Sequence, residues 1–118
     1  MNTQNVGSFE ACKRLVEAGI VLETDFYWAR DSNGWYLRTY GTYEREVLES
    51  IPAPSMAEVW RELPNTYSTD TDVRLKTLMS YQAGYKALKD DVGVWFSYDT
   101  NPTDALIDLL IFVRKEKP

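Results

Sequence analysis

The chain has 118 residues and a net charge of −5, and 44% of its residues are hydrophobic, 14% aromatic and 26% charged. These values predict one globular domain over residues 1–118 and argue against a broad basic face for binding nucleic acid. One cysteine and no histidine exclude an internal disulfide, a structural zinc site and every mechanism that needs a histidine base.

Residues 1–7 contain neither the basic region nor the apolar stretch of a secretory signal. The longest apolar run, residues 105–113, is shorter than the ~20 residues that cross a membrane. We therefore expect a cytoplasmic protein with no membrane partner. No sequence feature indicates a cofactor, and none is expected.

The first predicted element is a helix over residues 9–18. Ser8 is a typical N-cap residue, and Gly19 is typical of the position just after a helix. Between them, apolar side chains recur at helical spacing at Phe9, Cys12, Leu15 and Val16. Cys12 lies on this apolar stripe, and the pattern favours a buried thiol over a reactive one.

A β-hairpin is predicted next. Two aromatic-rich runs, residues 20–30 and 35–40, are separated by a segment that ends in Asn33 and Gly34. An Asn-Gly pair between such runs is a strong turn signal, because both residues tolerate positive φ. Aromatic residues alternate onto both faces of the two strands. We expect one face to pack under a helix and the other to be a partly exposed aromatic surface.

This hairpin contains the candidate binding residues. Aromatic and arginine side chains together are typical of protein contact faces and of platforms for single-stranded nucleic acid. Neighbouring carboxylates, among them Asp31 and Glu44, offset the arginine charge, so nucleic acid is the less favoured partner. The candidate binding residues are Tyr27, Trp28, Arg30, Trp35, Tyr36, Arg38 and Tyr40.

One clear helix is predicted in the middle of the chain. Residues 42–50 fit either a short helix or a third strand, and residues 51–54 contain two prolines that predict an extended linker. Ser55 and Glu58 then form a capping-box pattern, which predicts a helix over residues 56–63. Apolar residues support it at helical spacing, at Met56, Val59, Trp60 and Leu63.

The next segments are mainly strand candidates. Residues 65–72 predict a polar loop. Residues 73–91 fit two strands by alternation, but apolar residues at helical spacing also fit one helix. An internal glycine, Gly84, would cost that helix ~1 kcal/mol, so the strands are favoured. Residues 92–98 are rich in strand-forming residues and predict a further strand.

A final helix is predicted from Pro102 onward. Asn101 suits the N-cap, Pro102 the first helical position, and Asp104 the positive end of the helix dipole. From residue 105 to 113 only Asp108 is polar, so the helix must be covered on nearly all sides. Because the predicted strands and helices can cover it, we expect this helix to be the centre of the domain rather than a docking site.

No catalytic, metal-binding or nucleotide-binding motif occurs in the sequence. Asp70 and Asp72 lack the following glycine and later glutamate of a calcium loop. The acidic run around Glu46 fits a solvated face, and no glycine-rich phosphate-binding sequence is present. The sequence therefore favours a protein that is not an enzyme and holds no metal.

Two patterns remain: the proline-bounded short helix of residues 51–64, and the Asn-Pro start of the last helix in residues 101–110. Together they resemble segments of small uncharacterised proteins encoded by phages and prophages of gut bacteria. The resemblance implies a phage or mobile-element origin. It carries over no activity, cofactor or site residue.

These elements predict an α+β fold, with an antiparallel sheet of about four to five strands and three helices packed mainly on one face. We predict a phage- or prophage-associated protein-interaction module without enzymatic activity. Its partner would be another protein or a second copy in a homodimer. The alternative prediction is binding of a small ligand or single-stranded nucleic acid on the aromatic face of the hairpin.

Overall fold

The computed structural model describes residues 6–39, 48–68, 73–79, 82–87, 93–98 and 101–116. This part of the chain contains three α-helices and seven β-strands, so the predicted α+β class is confirmed. The helices are α1 (Phe9–Glu17), α2 (Met56–Glu62) and α3 (Pro102–Glu116). The strands are β1 (Phe26–Asp31), β2 (Gly34–Thr39), β3 (Glu49–Ala53), β4 (Thr66–Ser68), β5 (Val73–Met79), β6 (Gln82–Ala87) and β7 (Gly93–Tyr98).

The described strands form two antiparallel sheets instead of the single sheet that the sequence predicts. The first sheet has the order β2-β1-β3, and the second has the order β4-β5-β6-β7. Helix α2 lies between β3 and β4 in the chain, and each strand after it pairs with its neighbour in sequence. Strands joined by short connections commonly pair in this way, so the second sheet forms separately from the hairpin.

The helices do not share one face of one sheet. Helix α1 contacts β3 of the first sheet, whereas α3 contacts β6 and β7 of the second. Helix α3 also contacts both other helices. Within the described residues, no helix combines the length and the apolar character needed to cross a membrane.

Two strands lie where the sequence predicts other structure. Strand β3 includes most of the predicted linker, and β4 lies in the predicted polar loop. Pro52 is compatible with β3 because an edge strand needs main-chain hydrogen bonds on one side only. The favoured prediction of strands for residues 73–91 is confirmed by β5 and β6 as far as residue 87, and residues 88–91 lie outside the described part. Of residues 42–50, which fit either a short helix or a strand, residues 49 and 50 lie in β3, and residues 42–47 lie outside the described part.

The predicted hairpin is confirmed, with continuous pairing of β1 and β2 and no shift of register. Its turn residues are Ser32 and Asn33, one position before the Asn-Gly pair that signals the turn. Gly34 begins β2 with a φ of +120°, a conformation that favours glycine. Asp31 supports the turn, because its Oδ1 accepts a hydrogen bond from the amide of Asn33 at 2.7 Å.

The predicted caps of α1 and α2 are confirmed. The Oγ of Ser8 accepts a hydrogen bond from the amide of Ala11 at 3.2 Å. In the capping box of α2, the amide of Glu58 donates to the Oγ of Ser55, and the amide of Ser55 donates to Oε1 of Glu58. The second oxygen of Glu58 accepts the amide of Asp25 at 3.0 Å. One buried carboxylate therefore ties the segment before β1 to α2.

Helix α3 is the best-buried helix among those described. Five of its side chains have 0% exposure, namely Thr103, Ala105, Ile107, Leu109 and Leu110. Asp108, the polar residue within the apolar run of residues 105–113, pairs with Arg14 of α1. Nη2 of Arg14 and Oδ1 of Asp108 are 3.0 Å apart, and the two side chains are 46% and 32% exposed. Such a solvent-screened pair contributes about 0–1 kcal/mol, so the stability of α3 comes from its apolar sides.

The segment at Gly7 and Ser8 joins several elements at one point. The amide of Gly7 donates to the carbonyl of Pro54 at 2.9 Å, and the carbonyl of Gly7 accepts from Nε1 of Trp28 at 3.0 Å. The amide of Ser8 donates to Oδ1 of Asp104, near the start of α3, at 2.8 Å. These bonds connect the first sheet, the segment before α2 and the start of α3.

Candidate functional site

The hairpin of β1 and β2, which carries the predicted binding residues, has two faces set by its register. Residues directly opposite each other on antiparallel strands place their side chains on the same face. The first face carries Trp28, Arg30, Trp35 and Leu37. The second face carries Tyr27, Ala29, Tyr36 and Arg38.

Helix α1 covers part of the first face through Phe9. The Phe9 ring lies 6.2 Å from the ring of Trp28 in an edge-to-face arrangement and 4.6 Å from the ring of Trp35. Aromatic pairs of this kind contribute about 0.5–1.5 kcal/mol beyond their buried area. The two tryptophans therefore hold α1 on the sheet, and their ring surfaces are used within the fold.

Arg30, also on the first face, is paired with a carboxylate of the neighbouring strand. Its Nε lies 3.2 Å from Oε2 of Glu49, and the two side chains are 41% and 55% exposed. Solvent screens such a pair, which contributes about 0–1 kcal/mol. The charge of Arg30 is thus matched inside the chain.

The second face is accessible at β2 but buried at β1. Tyr27 is 4% exposed and Ala29 is 0% exposed, so the expectation of an exposed aromatic surface is wrong at these two positions. On β2, the guanidinium of Arg38 lies 5.8 Å from the ring centre of Tyr36, and its Nη1 donates to the Tyr36 hydroxyl at 3.3 Å. Tyr40 lies outside the described residues.

Strand β2 is an outer strand of its sheet, a feature that sequence reasoning missed. It ends the order β2-β1-β3, and no strand within the described residues pairs with its outer side. All six of its residues are partly exposed. The edge position depends on the pairing of β3 with β1, and no local sequence pattern predicts that pairing.

A groove of about 370 Å³ lies between α2, β5 and α3. It is lined by Met56, Ala57, Trp60, Leu78 and Leu106. These side chains provide apolar contact area and no group for acid–base or nucleophilic chemistry.

Lys76, two residues before Leu78 on β5, caps the C-terminal end of α2. Its Nζ donates to the carbonyls of Trp60 at 2.7 Å and Leu63 at 3.2 Å, and it lies 4.6 Å from the centre of the Trp60 ring. The Trp60 carbonyl also accepts the amide of Leu63 at 3.2 Å. A cation at the C-terminal end of a helix interacts favourably with the last carbonyls and with the negative end of the helix dipole. Burial lowers the pKa of Lys76, but its hydrogen bonds give it a structural role. No local sequence pattern signals this long-range cap.

The predicted burial of Cys12 is confirmed. Its side chain is 0% exposed, and Sγ donates to the carbonyl of Gly7 at 3.4 Å. Burial, with a smaller effect from the Asp104 carboxylate, raises the pKa of Cys12 from the usual 9.0 to about 12. A thiol that stays protonated at neutral pH is a poor nucleophile. Val16, predicted on the same stripe of α1, is 40% exposed.

Cys12 is expected to resist a thiol reagent at about pH 8 in the folded protein and to react once the chain unfolds. Rapid labelling of the folded chain would contradict the burial of this thiol.

The raised pKa of Cys12 also predicts that stability depends on pH. The buried neutral thiol stabilises the fold below pH 9.0, and this contribution is lost as the pH rises toward about 12. Cys12→Ala should remove that part of the alkaline destabilisation.

The described residues contain no group of three acidic or cysteine side chains placed to hold a metal ion. Every buried side-chain nitrogen or oxygen among them has a hydrogen-bond partner, so none marks a ligand site by lacking one. Comparison with protein-family models, with curated proteins and with solved structures found no match to this chain.

Proposed function

We propose that this chain is a phage- or prophage-associated, cytoplasmic protein-interaction module without enzymatic activity, which binds an extended segment of its partner at the outer edge of β2. The observation that carries the proposal is the outer position of β2 together with the partial exposure of all its residues. The association with phages is supported by the resemblance of residues 51–64 and 101–110 to phage and prophage proteins.

The backbone of β2 presents hydrogen-bonding groups on its outer side. The carbonyl of Arg30 accepts from the amide of Leu48 at 2.9 Å and therefore points from β1 toward β3. Successive residues of a strand direct their main-chain groups to opposite sides. Ala29, the residue before Arg30 in β1, therefore directs its main-chain groups toward β2, where Tyr36 lies opposite it. On either side of Tyr36, Trp35 and Leu37 direct their N–H and C=O groups outward.

The two edges of the first sheet differ in how they are protected. Natural edge strands are commonly blocked by proline, lysine, a bulge or a covering segment. Strand β3 contains Pro52, and its continuation is covered where Gly7 bonds to Pro54 and Val6 forms a bridge with Ser55. Strand β2 has no proline, no lysine and no bulge in its pairing with β1. Among the described residues, no strand pairs with its outer side. Of the two edges of this sheet, β2 is therefore the one suited to strand addition, a recurring mode of peptide recognition.

The geometry does not favour the alternative of a stacking platform for bases or small ligands. Such platforms need exposed aromatic faces. Tyr27 is buried, and the rings of Trp28 and Trp35 pack on Phe9. Protein contact through the edge of β2 is the function that the described residues support best.

Leu37→Pro is expected to abolish partner binding while the hairpin remains paired, because the N–H that proline lacks points away from β1. Leu37→Ala is the matched control, since it removes the same side chain and keeps the N–H. Binding can be measured with a photoreactive amino acid at position 36 in cells that naturally express the chain. Mass spectrometry then identifies the attached protein.

Crosslinking that survives Leu37→Ala and is lost in Leu37→Pro supports strand addition, with circular dichroism confirming that both variants are folded. Equal crosslinking in the two variants would contradict the proposal. So would the absence of any attached chain, including a second copy of this one.

A further inference from the structure

We infer that the segment bound at the edge of β2 is β2 of a second copy, paired antiparallel about a twofold axis. This inference rests on the proposed function, because it names the partner of the same edge. The pairing would join the two three-stranded sheets into one continuous sheet. A twofold contact uses the same surface on both copies, so the edge must be complementary to itself.

The outward main-chain groups select the register of this pairing. Trp35 and Leu37 each present one N–H and one C=O on the outer side. All of these groups are used when Trp35 lies opposite Leu37 of the second copy and Leu37 lies opposite its Trp35. Each such pair exchanges two hydrogen bonds, which gives about four bonds between the copies. The twofold axis then passes beside Tyr36.

The side chains of the second face fit the same register. Tyr36 lies opposite the second copy's Tyr36 in a non-hydrogen-bonded pair, where Cα atoms are about 4.5 Å apart and side chains are closest. Arg38 lies opposite Gly34, which has no side chain. The guanidinium of Arg38, already over the Tyr36 ring, therefore has room in the paired sheet.

The remaining features of the edge also permit self-association. On the first face, Trp35 lies opposite Leu37 of the second copy, so two apolar side chains are neighbours in each of these pairs. Arg38 is the charged residue of β2, and four residues of strand separate it from its counterpart. That distance is about 13 Å at ~3.3 Å per residue, beyond the screening length of about 10 Å at 0.1 M salt.

A cysteine placed at position 36 tests the register. In Tyr36→Cys the two Cα atoms are expected about 4.5 Å apart, within the span of about 4.4–6.8 Å that a disulfide bridges. Arg38→Cys is the matched control, on the same strand and face but about 13 Å from its counterpart. The native Cys12 does not compete, because it is 0% exposed and burial raises its pKa to about 12.

Under mild oxidation we expect Tyr36→Cys to run at twice the 13.6 kDa of one chain on a non-reducing gel. Arg38→Cys should stay at the mass of one chain. Adding Leu37→Pro to Tyr36→Cys should abolish the disulfide-linked species. The unsubstituted chain should have the mass of two copies in a solution measurement at the same protein concentration.

A strict monomer in solution, or equal disulfide formation in the two cysteine variants, would overturn the homodimer. A dimer that does not crosslink through Tyr36→Cys would overturn it as well, because its contact would lie elsewhere. If photocrosslinking at position 36 attaches a different protein instead, the proposed function stands and only the second-copy occupant is wrong. If nothing is attached, both are wrong.

Discussion

Replacing Leu109 with alanine is expected to lower the free energy of unfolding by about 2–5 kcal/mol. Leu109 is 0% exposed and lies within α3, the helix that contacts α1, α2 and the second sheet. The change removes buried apolar atoms and leaves a cavity that neighbouring elements fill only in part. Because domains are stable by about 5–15 kcal/mol, this one truncation threatens the fold. The same loss is expected for Leu110, which is also 0% exposed.

Leu48→Ala is the matched control for this truncation. It makes the same chemical change at a side chain that is 53% exposed, where a change of at most about 0.5 kcal/mol is expected. Urea unfolding followed by tryptophan fluorescence and circular dichroism gives both values. If Leu109→Ala and Leu48→Ala unfolded at the same urea concentration, α3 would not be the core of the domain.

The helix starts could be predicted because each depends on residues only a few positions apart. Ser8 bonds to the amide of Ala11, and Ser55 and Glu58 complete their capping box across one turn. At α3, Oδ1 of Asn101 accepts the amide of Thr103 at 2.9 Å. Such contacts join residues a few positions apart, so the residue types and their spacing in the sequence predict them.

The division into two sheets could not be predicted, because strand pairing is not local. The sequence indicates that residues 51–54 are extended, but it does not show that β3 pairs with β1. Without knowledge of that pairing, it cannot be predicted which hairpin strand is the outer one. It also cannot be predicted that the strands after α2 form a second sheet. The long-range cap of α2 by Lys76 was missed for the same reason.

For the candidate site, the sequence correctly predicted the hairpin and the two faces of its strands. It did not distinguish the buried Tyr27 from the partly exposed Tyr36, because both are tyrosines on the same face. The difference lies in which strand is central. Tyr27 is on β1, between two strands, and Tyr36 is on the outer strand β2. Strand order therefore decides which of the predicted residues a partner can reach.

Gly7→Ala is expected to lower the free energy of unfolding by about 1–3 kcal/mol through overpacking. A Cβ at this position would lie 2.5 Å from Cδ1 of Ile107 and 2.8 Å from Sγ of Cys12. Both side chains are 0% exposed, so neither can turn into solvent. A shift of the backbone would instead weaken the hydrogen bonds of Gly7 to Pro54 and Trp28.

A double substitution tests whether the loss of stability in Gly7→Ala comes from the contact with Ile107 or from the loss of glycine itself. Ile107→Val removes the Cδ1 atom and alone should cost about 0.5–1.5 kcal/mol. In the Gly7→Ala background it should cost less, or restore stability, because the conflict at 2.5 Å is relieved. Gly19→Ala is the control, since its φ is +78° but no described atom lies within 4 Å of the added Cβ. In the Gly19→Ala background, Ile107→Val should lower the free energy of unfolding by the same amount as it does alone. Equal losses in the Gly7→Ala and Gly19→Ala backgrounds would show that Ile107 of α3 does not conflict with a Cβ at position 7.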